Sequence, residues 1–226
     1  MSQPLATTGL GSQPLAEPDG FRVWRPGIVN YRDAQTRQVD LVDRRLHWTH
    51  DLLILLEHPP VITLGRNTNR NNLLWDQGTL QAAGIECVPS HRGGDITLHG
   101  PGQLVGYPIV DLNHYRKDLH RYLRRLEEVL IRTLADFDLA GETLAGKTGV
   151  WIEGRKIASI GIAVRRWISY HGFALNIDND LSVFEAIIPC GLPDVTMTSM
   201  SRELDRPVGK DRVAGSLISH FGTVMQ

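Results

Sequence analysis

Hydrophobic and polar positions alternate in two rhythms along this chain, and each predicts a different element. FRVWRPG, starting at Phe21, has the short alternation of a strand. The next stretch, DAQTRQVDLVDRRLHWTHD, sets Val39, Val42 and Leu46 among charges at helical steps. LLILLEH and VITLG are near-continuous apolar runs on either side of Pro59-Pro60, and they predict a buried strand pair joined by that turn. IECVPS and DITLHG predict further strands around a glycine-rich turn, with QLVGYPIVDL after them. The clearest helix covers 115–137, where Leu119, Tyr122, Leu123, Leu126, Leu130, Leu134 and Phe137 mark one buried stripe. TGVWIEG and KIASIGIAVRRWISYHGFALNI are β-rich and meet at Gly154-Arg155, which predicts a hairpin. GKDRVAGSLISHFGTVM closes the chain as a helix with Val213, Leu217, Phe221 and Val224 on one side.

Strands cluster in runs with few helices between them. That pattern predicts an α+β fold, a single domain built on a mixed, largely antiparallel β-sheet flanked by helices, and argues against regular βα alternation. Nothing between 21 and 226 reads as a linker. Residues 1–20 are rich in Ser, Pro and Gly and repeat SQPLA at 2–6 and 12–16, so they are expected to form a flexible N-terminal tail.

Composition narrows the partners. Of 226 residues, 42% are hydrophobic and 22% charged, ordinary for a globular domain. A net charge of −1 gives no global field for nucleic acid or an anionic membrane surface. The longest apolar candidate, DLLILLEHPPVITLG, is interrupted well short of the roughly 20 residues that span a bilayer. Two cysteines, Cys87 and Cys190, form no disulfide framework and suit a reducing compartment. No basic and apolar leader precedes Phe21, and the first arginine is Arg22, so a cytoplasmic location is expected.

Three stretches carry candidate chemistry. In HRGGDITLHGPGQLVGYP, over 91–108, five glycines would let a backbone approach a ligand closely. Spacing alone also suits two tight turns around a hairpin, but Arg92, Thr97 and His99 sit among those glycines. In GRKIASIGIAV, Lys156 opens a strand; a lysine there is ordinarily a solvated strand end. In AIIPCGL, Pro189 and Gly191 frame Cys190 and predict a strand ending at a tight turn with a thiol at its tip. A thiol with a free pKa of about 8.5 needs a cation, an imidazole or a helix N-terminus to react well at neutral pH. Lys156, His99 and His171 are the candidates, and spacing does not choose among them. None of the 9 histidines falls into a metal-ligand spacing, and Walker and Rossmann loops are absent, so neither metal nor nucleotide cofactor is expected. The cationic run HYRKDLHRYLRR reads as a solvated helix face or a dock for an acidic partner.

Taken together, RGGDITLHGPGQLVGYPIVDL, TGVWIEGRKIASIGIAV, HGFALNID and IPCGL resemble the lipoyl(octanoyl) transferases, relatives of the biotin and lipoate ligases. The resemblance covers most of 50–205. It implies a biotin/lipoate protein ligase-like fold, with the catalytic domain over 21–226. It implies octanoyl transfer from octanoyl-acyl carrier protein to a lysine of lipoyl domains, those of 2-oxoacid dehydrogenase complexes and the glycine cleavage H protein, through an acyl-cysteine. On that resemblance the thioester-forming cysteine is Cys190 and the lysine that activates it is Lys156. The acyl pocket falls on Arg92, Gly93, Gly94, Asp95, Ile96, Thr97, Leu98 and His99, on Ser159, Ile160 and Gly161, and on Gly172, Phe173 and Ala174. Apolar Leu98, Ile160 and Phe173 would meet the acyl chain. Cys87 matches no functional motif and reads as a core thiol.

Other readings differ in class. An adenylating lipoate or biotin ligase would share the fold but has no chemical need for the IPCGL thiol. A non-catalytic acyl-binding module leaves Cys190 and Lys156 unexplained. A thiol hydrolase would pass the acyl group to water.

Overall fold

In the computed structural model, which describes residues 15–16, 21–47, 50–192 and 194–225, eight strands make one sheet and three make a second. The strands are β1 (Leu15–Ala16), β2 (Phe21–Ile28), β3 (Asp51–Glu57), β4 (Val61–Leu64), β5 (Glu86–Pro89), β6 (Ile96–His99), β7 (Gln103–Ile109), β8 (Glu142–Leu144), β9 (Lys147–Ile152), β10 (Arg155–Arg165) and β11 (Ile168–Asn176). The large sheet runs β1-β2-β3-β7-β11-β10-β9-β8, and the small one β5-β4-β6. Among the described strands, only the β2–β3 and β4–β5 pairs are parallel. This is the mixed, mostly antiparallel α+β architecture that the strand runs predict. The tail expectation for 1–20 lies outside the described residues except at 15–16, whose backbone pairs with β2.

The helices are α1 (Tyr31–Arg45), α2 (Gln77–Ala82), α3 (Leu119–Ala135), α4 (Met200–Leu204) and α5 (Lys210–Val224), and the three long ones cover both faces of the large sheet. Helix α3 (Leu119–Ala135) and helix α5 (Lys210–Val224) close one core, in which Leu126, Leu130, Leu134, Leu217 and Phe221 meet Leu53, Ile157 and Leu175. Asp118 caps α3 by accepting from the Arg121 amide, so the helix starts after the expected position; Tyr115 instead ends a 3₁₀ helix (Leu112–Tyr115) and 116–117 form a turn. On the opposite face α1 (Tyr31–Arg45) packs against Leu52, Ile54, Val105 and Ile109.

Three local expectations shift. Helix α1 buries Tyr31, Ala34, Gln38, Leu41, Val42 and Arg45, while Leu46 is exposed. The buried stripe is partly polar because Gln38 Oε1 accepts from the His171 amide and Arg45 pairs with Asp51 at 2.8 Å. Strands β3 and β4 flank Pro59-Pro60 but do not pair; the turn hands the chain from the large sheet to the small one. The long run after Gly154 is two strands, because Arg166 and Trp167 both adopt positive φ and close a tight β10–β11 hairpin. Glu153 and Gly154 do the same between β9 and β10.

Candidate active site

Lys156 sits at the second position of β10, beside a register shift that separates its pairing with Trp151 from that of Ala158 with Val150. Far from being a solvated strand end, it is 1% exposed. Its backbone is clamped from outside the hairpin: Lys156 N donates to Thr196 O at 2.8 Å, and Thr198 N donates to Lys156 O at 2.9 Å. The side chain passes over Gly149, where a Cβ would lie 2.9 Å from Lys156 Cε and 2.6 Å from Ala158 O. Gly149 also has φ +127°, so only glycine fits that position without strain. Lys156 Nζ then stands 5.2 Å from the centroid of Trp151 and donates to Cys190 Sγ at 3.2 Å.

Cys190 arrives by a different route. It lies in a short 3₁₀ turn, Pro189–Gly191, not at the end of a strand. The approach is a single bridge between Ile187 and Leu73, with Ile188 N donating to Asn72 O at 2.8 Å. Cys190 has φ 57° and ψ 20°, a left-handed conformation that costs a non-glycine residue of order 1–3 kcal/mol. Gly191 follows with φ +69°, and a Cβ there would lie 2.7 Å from Asp95 Oδ2. The turn seats on Asp95, whose Oδ1 accepts from the Asn69 amide at 2.9 Å and whose Oδ2 accepts from Asn72.

A cleft opens from Cys190 between the large sheet and the glycine-rich loop. Arg92, Gly93, Gly94, Asp95, Thr97, His99, Ser159, Ile160, Gly161, Gly172, Phe173 and Ala174 all line it. Ile96 and Leu98 do not. Side chains on a strand alternate, so with Thr97 and His99 on the cleft side, Ile96 and Leu98 turn into a separate core with Ile62, Phe184 and Ile187. Sequence reasoning missed Tyr31, Val105 and Tyr107, which reach the cleft from α1 and β7; the alternation of Val105 and Tyr107 along β7 was the available signal. Its apolar lining is Val105 and Ala174, on the sheet face that packs against α1, and Ile160 and Phe173, which are shared with the α3–α5 core on the other face.

The polar wall is built of buried groups. Arg92 donates from Nε to Thr63 Oγ1 at 3.0 Å, from Nη2 to Thr63 O at 2.6 Å and from Nη1 to Gly93 O at 3.1 Å. Burial pulls its pKa down, though an arginine stays charged at neutral pH. The loop that carries it threads tightly, since a Cβ on Gly65 would meet Gly94 O at 2.3 Å. Three histidines stand nearby, and burial holds all three neutral. It lowers His58 to about 4 and His171 to about 3, and drives His99 well below its ordinary value. His58 Nδ1 donates to Val29 O at 2.6 Å, which leaves Nε2 to accept from the Tyr107 hydroxyl at 2.7 Å. Among the described residues neither ring nitrogen of His171 has a hydrogen-bond partner. Of the three candidate activators, Lys156 is the one in contact with the sulfur.

Both cysteines are free. Cys87 packs against the small-sheet core, and burial raises its pKa. Among the described residues no group of three or more His, Cys, Asp or Glu side chains could hold a metal ion, and no helix is long and apolar enough to cross a membrane.

Residues 30–222 match the family described as the lipoyl protein ligase A/B catalytic domain. The chain is 54% identical over 169 residues to an octanoyltransferase of Gloeobacter violaceus, covering 74% of each chain. It is 46% identical over 199 residues to an octanoyltransferase of Solibacter usitatus, covering 88% of this chain and 90% of that one. A solved lipoate-protein ligase A bound with ATP superposes with a TM-score of 0.71 at 17% identity, over 88% of this chain and 83% of that chain. The biotin protein ligase of Aquifex aeolicus with biotin and ATP gives 0.54 at 11% identity, over 88% and 67%. At such identities the two structures establish the fold alone.

Proposed function

The chain belongs to the lipoyl protein ligase A/B catalytic-domain family, alongside its octanoyltransferases, and from that premise we propose a mechanism in which Cys190 carries the octanoyl group and Lys156 manages the protons. The observation that carries this reading is the 3.2 Å contact from Lys156 Nζ to Cys190 Sγ at the mouth of a cleft with an apolar wall. We place the activity in residues 21–226.

The donor is octanoyl-acyl carrier protein, already activated as a thioester. Lys156 as an ammonium holds the Cys190 thiolate. The thiolate attacks the thioester carbonyl; a new S–C bond forms, the bond to the carrier's sulfur breaks, and the Lys156 proton passes to the departing thiolate. Lys156 is now a neutral amine. The acceptor, a lysine of a lipoyl domain, attacks the acyl-Cys190 carbonyl and gives its proton to Lys156 as the new amide forms. Cys190 leaves as a thiolate beside a restored ammonium, so the cycle closes without ATP. Arg92, charged and bonded to neutral oxygens, adds a second positive field at the cleft. Lipoyl domains of 2-oxoacid dehydrogenases and the glycine cleavage H protein are the proposed acceptors, in the cytoplasm.

The adenylating reading fits less well, because an ATP-driven ligase has no use for a strained thiol held against a buried amine. The test uses octanoyl-carrier protein alone, then a lipoyl domain, with no ATP at any stage. One octanoyl mass on the protein, removable by hydroxylamine and then passed to the domain, is expected. Transfer that begins only when ATP is added would assign the chain to the ligases.

A further inference from the structure

The reaction as proposed uses Cys190, Lys156, Arg92 and a cleft, yet it leaves one buried polar chain of the site unused. That chain begins at Asn176, the end of β11 and a member of the HGFALNID stretch. Asn176 is 1% exposed and pairs across the sheet with Gln103 on β7. Its Nδ2 donates to Thr198 O at 2.8 Å, and its Oδ1 accepts from Gln103 Nε2 at 2.8 Å. Gln103 Oε1 in turn meets His99 Nδ1 at 2.7 Å on the cleft wall.

The polarity of this chain is dictated from one end. A main-chain carbonyl only accepts, so the Thr198 oxygen obliges Asn176 to present its amide there and its carbonyl to Gln103. Gln103 must then offer its own carbonyl to His99, which places the proton on Nδ1 and leaves the Nε2 lone pair unprotonated. Thr198 is also the residue whose amide donates to Lys156 O, and Thr196 accepts from Lys156 N. Segment 196–198 is thus a splint along the Lys156 main chain, continuous in sequence with the turn that bears Cys190. A second brace reaches it from the other side, where Thr198 Oγ1 donates to Glu203 and Glu203 pairs with Arg155 at 2.9 Å.

We propose that Asn176 is a positioning residue of the Lys156–Cys190 pair: by holding Thr198 O it sets the splint that fixes Lys156, and it joins that splint to His99 in the acyl cleft. It touches no reacting atom. The inference rests on the Lys156–Cys190 reading above, so its test must tell the two apart.

Alkylation of Cys190 by iodoacetamide at neutral pH, in the full chain, reads how well the lysine supports the sulfur. Asn176→Asp keeps size and the acceptor toward Gln103 but sets an oxygen against Thr198 O. Asn176→Ala removes both bonds without adding charge and serves if the Asp variant fails to fold. Each is measured in the native chain and in a Lys156→Ala background, with thermal unfolding to confirm folding. Either variant should slow alkylation about tenfold or more, the scale of a small misplacement, and should have no further effect once Lys156 is gone. Equal slowing in both backgrounds would reduce Asn176 to a general structural role, and no slowing in the native chain would overturn the proposal. If Lys156→Ala itself leaves alkylation unchanged, the reading of the pair fails and the proposal falls with it.

Discussion

Two regions of this molecule bury titratable side chains to the same depth and treat them in opposite ways. Lys156 is 1% exposed and is handed a sulfur at 3.2 Å and the face of an indole. His58, His99 and His171 are as deeply buried, but the hydrogen-bond partners that His58 and His99 have are neutral: a carbonyl, a phenol and an amide. Burial alone penalises charge. What separates the two regions is the partner each group is given: a thiol in one, groups that stay neutral near pH 7 in the other. In the proposed mechanism the corner at Cys190 carries the proton traffic and the histidine wall supplies shape and hydrogen bonding.

The sharpest way to break that contrast is to remove the sulfur. Cys190→Ser should abolish octanoyl transfer, while Cys87→Ser should leave it largely intact; acylation mapped to Cys87 by peptide mass would reverse the assignment. Next in size is Lys156. Alanine should impair both half-reactions, whereas Lys156→Arg keeps a cation but cannot accept a proton, since arginine stays charged below pH 12. The Arg variant should still form some acyl-enzyme, the carrier's thiolate leaving unprotonated beside the cation, yet transfer to a lipoyl domain about a hundredfold more slowly, the usual worth of a positioned base. Wild-type transfer by that variant would remove the base role.

Gly149→Ala attacks the same corner without touching either reactive group. Its Cβ would fall 2.6 Å from Ala158 O and 2.9 Å from Lys156 Cε, so the lysine must move. A loss of tenfold or more in transfer is expected, on the scale that small misplacements cost, together with a lower unfolding temperature. Lowered stability with unchanged transfer would show that the lysine tolerates displacement.

The acyl wall is tested by donor length. Two methylenes are worth about 1.6 kcal/mol of burial, so hexanoyl donors should be used roughly tenfold less efficiently than octanoyl. Equal use of acetyl and octanoyl donors would mean that Val105, Ile160, Phe173 and Ala174 do not meet the chain.

The last effect is on stability and leaves the reaction untouched; it belongs to the neutral wall. An unfolded histidine binds a proton near pH 6.5, but folded His58 refuses it down to about 4. The stability associated with His58 is therefore fully present above about pH 6.5 and is lost as pH falls toward 4. At pH 5 the loss from this one residue is about 2 kcal/mol. Urea unfolding at pH 7.5 and pH 5 should show that fall, and His58→Gln, though less stable at the start, should show a smaller one. An identical fall in the variant would place the pH sensitivity elsewhere.

Much of this was legible in the sequence, and the misses share a cause. The stripe of α3, the C-terminal helix, the strand runs and the cysteine turn depend on neighbours within a few residues, so local pattern reveals them. Strands β3 and β4 look like a hairpin because their partners, β7 and β6, lie tens of residues away. Gln38 and Arg45 break the apolar pattern of α1 because their partners, the His171 amide and Asp51, come from other elements. Leu98 was placed in the pocket by its motif, but its neighbours Thr97 and His99 decide the facing, and a motif has no facing. Tyr31 reaches the cleft from α1, through packing that no short stretch encodes. On local pattern alone Lys156 is a solvated strand end, and only Gly149, seven positions earlier, makes the room that buries it.

Strand β10 carries Lys156 near its start, Ser159, Ile160 and Gly161 in the cleft wall, and Ile162, whose carbonyl accepts from Gly93 N at 2.8 Å and so pins the glycine-rich loop. Reactive corner and loop are thereby mounted on one rigid ruler graduated at about 3.3 Å per residue. Loops can lengthen without changing that interval. A chain engineered to accept a different acyl length would have to be recut on the ruler itself. Gly161 is the graduation to alter, since a methyl there would stand 3.0 Å from Gly93 O and shorten the space available.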